Sequence, residues 1–212
     1  MSDVAILIPT MNRPHRMAPL LQSIAEATDV PHRVVFACND QETVDELDHL
    51  GAWYDRDEGD TYAVRINRLF NLTSEPHVFL GADDLAFRAG WFQAAMIVME
   101  TINGVVAVND LHNMAGVHFL VSRDFVNTLG GCIGEPGIVC HEGYRHAYVD
   151  DELRATAMSH GRWGIAKDAV VEHLHPGAGK APSDEIYRTG EASMSEGLAV
   201  FQSRAHLWQE SV

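Results

Sequence analysis

No feature constrains the fold of this chain more than the stretch Val4-Ala5-Ile6-Leu7-Ile8, closed by Pro9. Five apolar residues in a row do not alternate with polar ones, so the strand they predict has no face left for water. Such a strand belongs in the middle of a sheet that is covered on both sides, and the segments after it can supply the cover. Beyond a polar loop, Thr10 to Arg13, Pro14 suits the first turn of a helix with Met17, Leu20, Leu21, Ile24 and Ala25 on one face, and Thr10 or Asn12 is its expected cap. Arg33 to Ala37 repeats the strand, and Glu42 to Leu50 repeats the helix through Val44, Leu47 and Leu50. Ala52 to Tyr54 predicts a brief third strand, and Asp60 or Thr61 can cap a helix through Tyr62, Ile66, Leu69 and Phe70. The apolar run Val78 to Leu80, a helix opening at Gly90-Trp91 and a strand over Val105 to Val108 continue the alternation. That pattern predicts an α/β chain with a mainly parallel central sheet and helices on both faces.

The second half is less regular. Val117 to Val121 reads as a strand, Arg123 to Leu129 as a helix, and the glycine-rich segment 130–137 as a loop. Val149 to His160 predicts a helix, and Trp163 to Ala166 and Ala169 to His173 predict two short strands. Residues 177–183 have the composition of a mobile loop, and Leu198 to Trp208 predicts a closing helix. The expected organisation is one domain over residues 1–176, with 177–212 as a lid loop and C-terminal helix packed on it. With 212 residues, the chain can bury one full-sized core.

Charge and cysteine usage narrow the function classes. Thirty Asp+Glu against fifteen Lys+Arg give a formal charge of −15, which repels polyanions and disfavours a wide nucleic-acid or anionic-membrane footprint. Cys38, Cys132 and Cys140 have no metal-type spacing, and an odd number cannot pair completely, so a reducing, cytoplasmic setting is expected. The acidic start Met1-Ser2-Asp3 and the short apolar run after it predict no secretory segment, and no run is long enough to span a bilayer.

Three constellations could carry chemistry. Asp83-Asp84 comes after the apolar run Val78 to Leu80 and the small pair Gly81-Ala82, so two carboxylates meet where a strand ends, a setting that suits a hard divalent cation and the phosphate it carries. His173 and His175 sit two apart on a predicted strand and point the same way, so one of them could complete that coordination sphere. Asp150-Asp151-Glu152 either complements a helix dipole or contributes a general base. Thr10, Asn12, Arg13 and Asp40 come after the first two strands, and Arg65 lies on a nearby helix. Carboxylates and guanidinium forks of this kind hydrogen-bond nucleobase edges and phosphates.

Taken in order, these pieces resemble the inverting, family 2-like nucleotide-sugar glycosyltransferases of the GT-A fold. The resemblance rests on Ile6 to Arg13 (with P-T-x-N-R), Asp40, Ala63 to Asn67, Phe79 to Asp84, Asp150 to Leu153 and His173 to His175, and covers roughly residues 3–176. It implies a base pocket at Pro9, Thr10 and Asp40, with Arg65 reaching the base or the diphosphate, Asp83 on the ribose, and Asn12, Arg13 and Asn67 also among the donor-binding residues. It also implies Mn²⁺ or Mg²⁺ on Asp84 with His175 or His173, and Asp151, or its neighbour Asp150, as the base. The donor would be a nucleoside diphosphate sugar, most often a UDP-sugar. The acceptor would be a hydroxyl on a modified DNA base, a protein, a lipid or a glycan. The compact size and the tail residues Lys180, Asp184, Tyr187, Phe201, Arg204 and Trp208 resemble small phage-encoded members. Ala82 stands where the metal motif usually has an acid, and Asp-Asp-Glu-Leu leaves the base open between Asp150 and Asp151. A metal-dependent hydrolase built on Asp and His, and a nucleotide-sugar binding module without catalysis, are the alternatives.

Overall fold

The computed structural model describes residues 2–56, 59, 61–113 and 116–209. Strand β1 (Val4–Pro9) runs through the middle, with Val4 to Ile8 wholly excluded from solvent. It pairs in parallel with β2 (His32–Cys38) on one side and β4 (His77–Leu80) on the other, and β3 (Tyr54–Arg56) extends the sheet in parallel beyond β2. Past β4, the strand β7 (Phe119–Ser122) runs antiparallel between β4 and β6 (Val105–Asn109). β6 is parallel to β8 (Trp163–His173), whose outer edge carries β5 (Leu85–Phe87) antiparallel. The order is β3-β2-β1-β4-β7-β6-β8-β5. Only β7 and β5 oppose the common direction, so the carboxyl ends of the other described strands all open on one edge of the sheet.

Period-two alternation along β1 separates two cores. Val4, Ile6 and Ile8 pack in the layer of α1 (Pro14–Ala27), α2 (Gln41–His49) and α4 (Trp91–Ile102). Ala5 and Leu7 pack in the layer of α3 (Tyr62–Asn71), α5 (Arg123–Leu129) and α6 (Val149–Ser159). The first core is braced by edge-to-face aromatics. Trp91 stands 5.0 Å from Phe79 and 5.1 Å from Phe87, and its indole N–H donates to Thr28 Oγ1 at 3.0 Å.

Several elements differ from their sequence expectation. Helix α1 starts at Pro14 with no side-chain cap, because the cap position falls on Arg13, whose side chain has no acceptor, the Thr10 hydroxyl is spent on Asp83, and a proline in the first turn has no amide to satisfy. Thr61 caps α3, its hydroxyl accepting from the Val64 amide at 3.2 Å; Asp60, the other candidate, lies outside the described residues. The two strands expected around Lys167-Asp168 form one eleven-residue strand, β8, which shifts register at that exposed polar pair. In place of one closing helix there are three, α7 (Glu185–Ala192), α8 (Met194–Arg204) and α9 (His206–Gln209), after a 3₁₀ turn at Pro176–Ala178. α7 and α8 bury one residue each, Tyr187 and Gly197, so no apolar stripe announces them. The three cysteines are free and buried, and among the described residues no helix is long and apolar enough to cross a membrane.

The C-terminal helices are tied down by a buried ion pair. Arg204 on α8 donates from Nε to both oxygens of Glu152 on α6 at 3.0 and 2.9 Å, and from Nη2 to Glu152 Oε1 at 2.8 Å and Glu135 Oε1 at 3.0 Å. The Tyr144 hydroxyl adds a 2.6 Å bond to Glu152, which is 2% exposed. The third acid of the triplet is thus a tether. Arg204→Met leaves that carboxylate buried with one neutral donor, and urea unfolding is expected to show a loss of about 3 kcal/mol. A change below about 0.5 kcal/mol, the size of an ordinary surface substitution, would contradict this account of the tether.

Candidate active site

Pro9 and Thr10 lie at the end of β1, Asp40 just past β2, Asp83 and Asp84 just past β4, and His173 and His175 at the close of β8, so the parallel strands bring them to one edge. Gly81 makes the approach of β4 to β1 possible there: a Cβ on it would stand 2.5 Å from Ile8 Cδ1 and 3.2 Å from the Leu7 carbonyl. The aspartates after it are no solvated turn. Asp83 is 6% and Asp84 4% exposed.

Asp84 is the centre of the site. Its Oδ2 accepts from the Tyr187 hydroxyl at 2.8 Å and lies 3.1 Å from His173 Nε2, while Oδ1 is buried with no hydrogen-bond partner among the described residues. Burial opposes its charge, but the hydrogen bond and charge of His173, with His118 and Tyr187, hold its carboxyl well below the usual carboxylate range. His118 packs edge-to-face on His173 at 4.9 Å. Burial, reinforced by His173, pushes its pKa down to about 4, so it is neutral at neutral pH, and its Nε2 is likewise buried without a partner among the described residues.

Asp83 has both oxygens occupied, by Arg13 Nη1 at 2.7 Å and the Thr10 hydroxyl at 2.8 Å. Arg13 also donates from Nε and Nη2 to the two oxygens of Asp184, each at 2.8 Å, and its guanidinium lies 4.1 Å from the centre of the Tyr187 ring. Asp40 caps α2 through the Thr43 amide at 2.9 Å and accepts from the Asn12 amide at 2.8 Å, which holds Asn12 at φ 55°. Arg65 donates to the Thr10 carbonyl at 2.8 Å and the Gly59 carbonyl at 2.9 Å, and its Nη2 is buried with no hydrogen-bond partner among the described residues. Asn67 faces elsewhere: its amide bonds the backbone of Val139 and Cys140 and the side chain of Glu142.

The donor set at Asp84 fits a divalent cation. An unpartnered buried carboxylate oxygen beside an imidazole nitrogen matches the preferences of Mn²⁺, and the oxygen alone those of Mg²⁺. Among the described residues no three His, Cys, Asp or Glu side chains converge on a common point, so an ion here would take its other ligands from water or a bound molecule. Both histidines are engaged: His173 Nε2 donates to Asp84 Oδ2, so a cation there would replace that proton, and His175 is held by the backbone. The Nδ1 of His175 accepts from the Gly177 amide at 3.0 Å, so the neutral ring carries its proton on Nε2 and has no second lone pair to offer.

Asp150 and Asp151 lie in the first turn of α6. The Tyr62 hydroxyl donates to the Gly81 carbonyl at 3.2 Å, and burial, then Cys140, Asp150 and Asp84, push its pKa well up. Asp151 is paired with Arg154 one turn along the helix. Asp150 is half-buried, and burial followed by the like charge of Asp151 pushes its pKa up to about 6.

The chain is similar in structure to glucosyl-3-phosphoglycerate synthase from Mycobacterium tuberculosis in complex with Mn²⁺, UDP and glucosyl-3-phosphoglycerate: TM-score 0.68 at 12% identity, over 97% of this chain and 81% of that one. The same synthase with Mn²⁺, UDP-glucose and phosphoglyceric acid gives a TM-score of 0.63 at 13% identity, over 92% and 80%. The fold is GT-A. S. aureus TarS matches at a TM-score of 0.58 and 13% identity, over 80% of this chain and 36% of that one. No family model and no curated protein matches the chain. On this GT-A framework, four contributors to the site were not legible as such in the sequence. Tyr62 sits on a helix face that pattern alone assigns to packing, Asp184 and Tyr187 stand out in the sequence only as tail residues of the resemblance, and His118 is one of twelve histidines.

The elevated pKa of Asp150 has a consequence for stability. An unfolded Asp titrates near about 3.9, so ionising Asp150 disfavours the folded state increasingly as pH rises from there to about 6, and fully above that. Asp150→Asn is expected to gain urea midpoint relative to the parent as pH is raised from about 4.5 to 7.5. A difference that stays constant over that range would contradict the placement.

Proposed function

We propose that this chain is a metal-dependent glycosyltransferase that moves a sugar from a nucleoside diphosphate, a UDP-sugar first among them, to an acceptor hydroxyl with inversion. The observation that carries the proposal is the Asp84 carboxylate at the carboxyl edge of a GT-A sheet, with Oδ2 beside His173 and Oδ1 buried without a partner among the described residues. In support, a synthase of the same fold has been crystallised with Mn²⁺ and UDP.

In this reading Pro9, Thr10, Asn12, Asp40 and the unpartnered guanidinium nitrogen of Arg65 form the base side of the donor pocket, and Asp83 the ribose side. Arg13 is the cation nearest the diphosphate, and Asn67 acts at one remove by fixing the backbone at Val139 and Cys140. Asp84 and His173 hold the cation in preference to His175, because His173 Nε2 is the imidazole nitrogen beside Asp84 and its shared proton is what the cation would replace. When bound, the cation neutralises charge on the departing diphosphate. Asp150 is the better placed base, because its carboxylate is poised near neutrality while Asp151 is paired with Arg154. The acceptor is a small hydroxyl compound or a locally presented one, since a charge of −15 weighs against a long polyanion.

Thermal unfolding with UDP and Mn²⁺ together is the first test. Saturation at a hundred times the dissociation constant stabilises by ~2.7 kcal/mol, a shift of several degrees. The metal-dependent part is expected to vanish in Asp84→Ala, and a shift that survives that change would remove Asp84 from the metal site. Asp150→Asn is expected to keep the full shift while turnover of a UDP-sugar panel falls ~100-fold. Retained turnover would exclude Asp150 as the base, and stabilisation by metal alone, unaffected by any nucleotide, would favour a hydrolase.

A further inference from the structure

Helix α7 lies over the donor edge, held there by polar contacts more than by packing. Of its eight residues only Tyr187 is buried. Its two anchoring side chains both end on residues of the proposed donor site. Asp184 takes two hydrogen bonds from Arg13, at 2.8 Å each, while still capping α7 through the Tyr187 amide at 3.1 Å. The Tyr187 ring stacks on the same guanidinium, and its hydroxyl reaches Asp84 Oδ2 at 2.8 Å and the Leu174 carbonyl at 3.3 Å.

The chemistry of these contacts mimics that of the expected ligands. A carboxylate gripped by both sides of an arginine fork presents what a phosphate would present. A hydroxyl proton aimed at a buried carboxylate supplies positive charge where a cation would. Arg13, shared between Asp83 and Asp184, has its charge compensated on both sides. Asp84 Oδ2, shared between Tyr187 and His173, is closed to a further partner on the side where those two groups lie.

We infer that α7 is a self-inhibitory latch, in which Asp184 occupies the phosphate position on Arg13 and the Tyr187 hydroxyl holds Asp84 Oδ2, the second oxygen that a cation seated on Oδ1 beside His173 would draw on, so that metal and nucleoside diphosphate displace the helix together. This rests on the reading of the site as a metal and donor site. The fold provides a pivot. Lys180 is fastened to Glu172 at 3.0 Å, Gly179 before it sits at φ 70°, and only Ala181, Pro182 and Ser183 separate that fastening from Asp184. Beyond α7, the Arg204–Glu152 pair keeps α8 in place, so the helix can leave without the tail. Because each ligand breaks a contact that also hinders the other, Mn²⁺ and UDP should bind with positive coupling.

Two conservative variants separate the parts. Tyr187→Phe removes only the hydroxyl and keeps the ring on Arg13, while Asp184→Asn removes the charge and keeps a capping side chain. Free Mn²⁺ is measured by electron paramagnetic resonance without nucleotide, and UDP binding by calorimetry without metal, with Asp84→Ala alongside. Tyr187→Phe is expected to bind Mn²⁺ about tenfold more tightly than the parent, the worth of one hydrogen bond to a charged group. Asp184→Asn is expected to bind UDP more tightly, and both variants to lose coupling between the two ligands. If Asp84→Ala loses Mn²⁺ binding but Tyr187→Phe binds as the parent does or more weakly, the latch is wrong and the metal site stands. If Asp84→Ala binds Mn²⁺ like the parent, the metal site is wrong and the latch falls with it.

Discussion

The structure depends on keeping one buried carboxylate, that of Asp84, ionised at the end of a central strand. Burying a charge is unfavourable unless the surroundings answer it, and here His173 and Tyr187 do so by hydrogen bonds, with the neutral His118 ring packed against His173. Each is held by its own framework. β8 brings His173, the loop before β7 brings His118, and α7 brings Tyr187. The answer is incomplete, because one oxygen stays buried and unpaired among the described residues. An unpaired acceptor in such a place is strained in free energy until something binds it, and this makes the position a site and not merely a polar contact.

What places Asp84 there is the sheet. β1 is buried on both faces, so β4 beside it must end where β1 ends, and Gly81 lets the chain turn tightly against Leu7 and Ile8. The same sheet direction delivers Thr10, Asp40 and His173 to that edge without any contact among them in sequence. The first turn of α6 carries Asp150, while Glu152, two residues on, points back into the body and holds α8. Three adjacent acids thus do three things: one is desolvated, one pairs on the helix surface, and one is a tether.

How much of this could be read from the sequence depends on which signals are local. The unbroken run at Val4 to Ile8 and the helix stripes after it specified the α/β sheet, because burial on two faces leaves a local imprint. The Asp83-Asp84 pair and the His173-x-His175 spacing were visible for the same reason, since strand ends and period two are short-range features. The partners of Asp84 were not. Tyr187 lies 103 positions away, and its role comes from a helix with almost no apolar face, so neither periodicity nor spacing marks it. The expectation of a single closing helix failed on the same ground. The choice between Asp150 and Asp151 required knowing which one loses its water, a property of the assembled fold.

The central claim is that a divalent cation and a nucleoside diphosphate meet at Asp84 and His173. The most direct test tracks the histidine ring resonances by NMR while Mn²⁺ is added in the presence of UDP, because the paramagnetic ion broadens nearby nuclei. His32 and His77 start β2 and β4 at the opposite end of the sheet and serve as internal controls. The account predicts that His173 and His118 broaden at the lowest Mn²⁺ while His32 and His77 remain sharp. Uniform broadening of all rings, or broadening that spares His173, would contradict it.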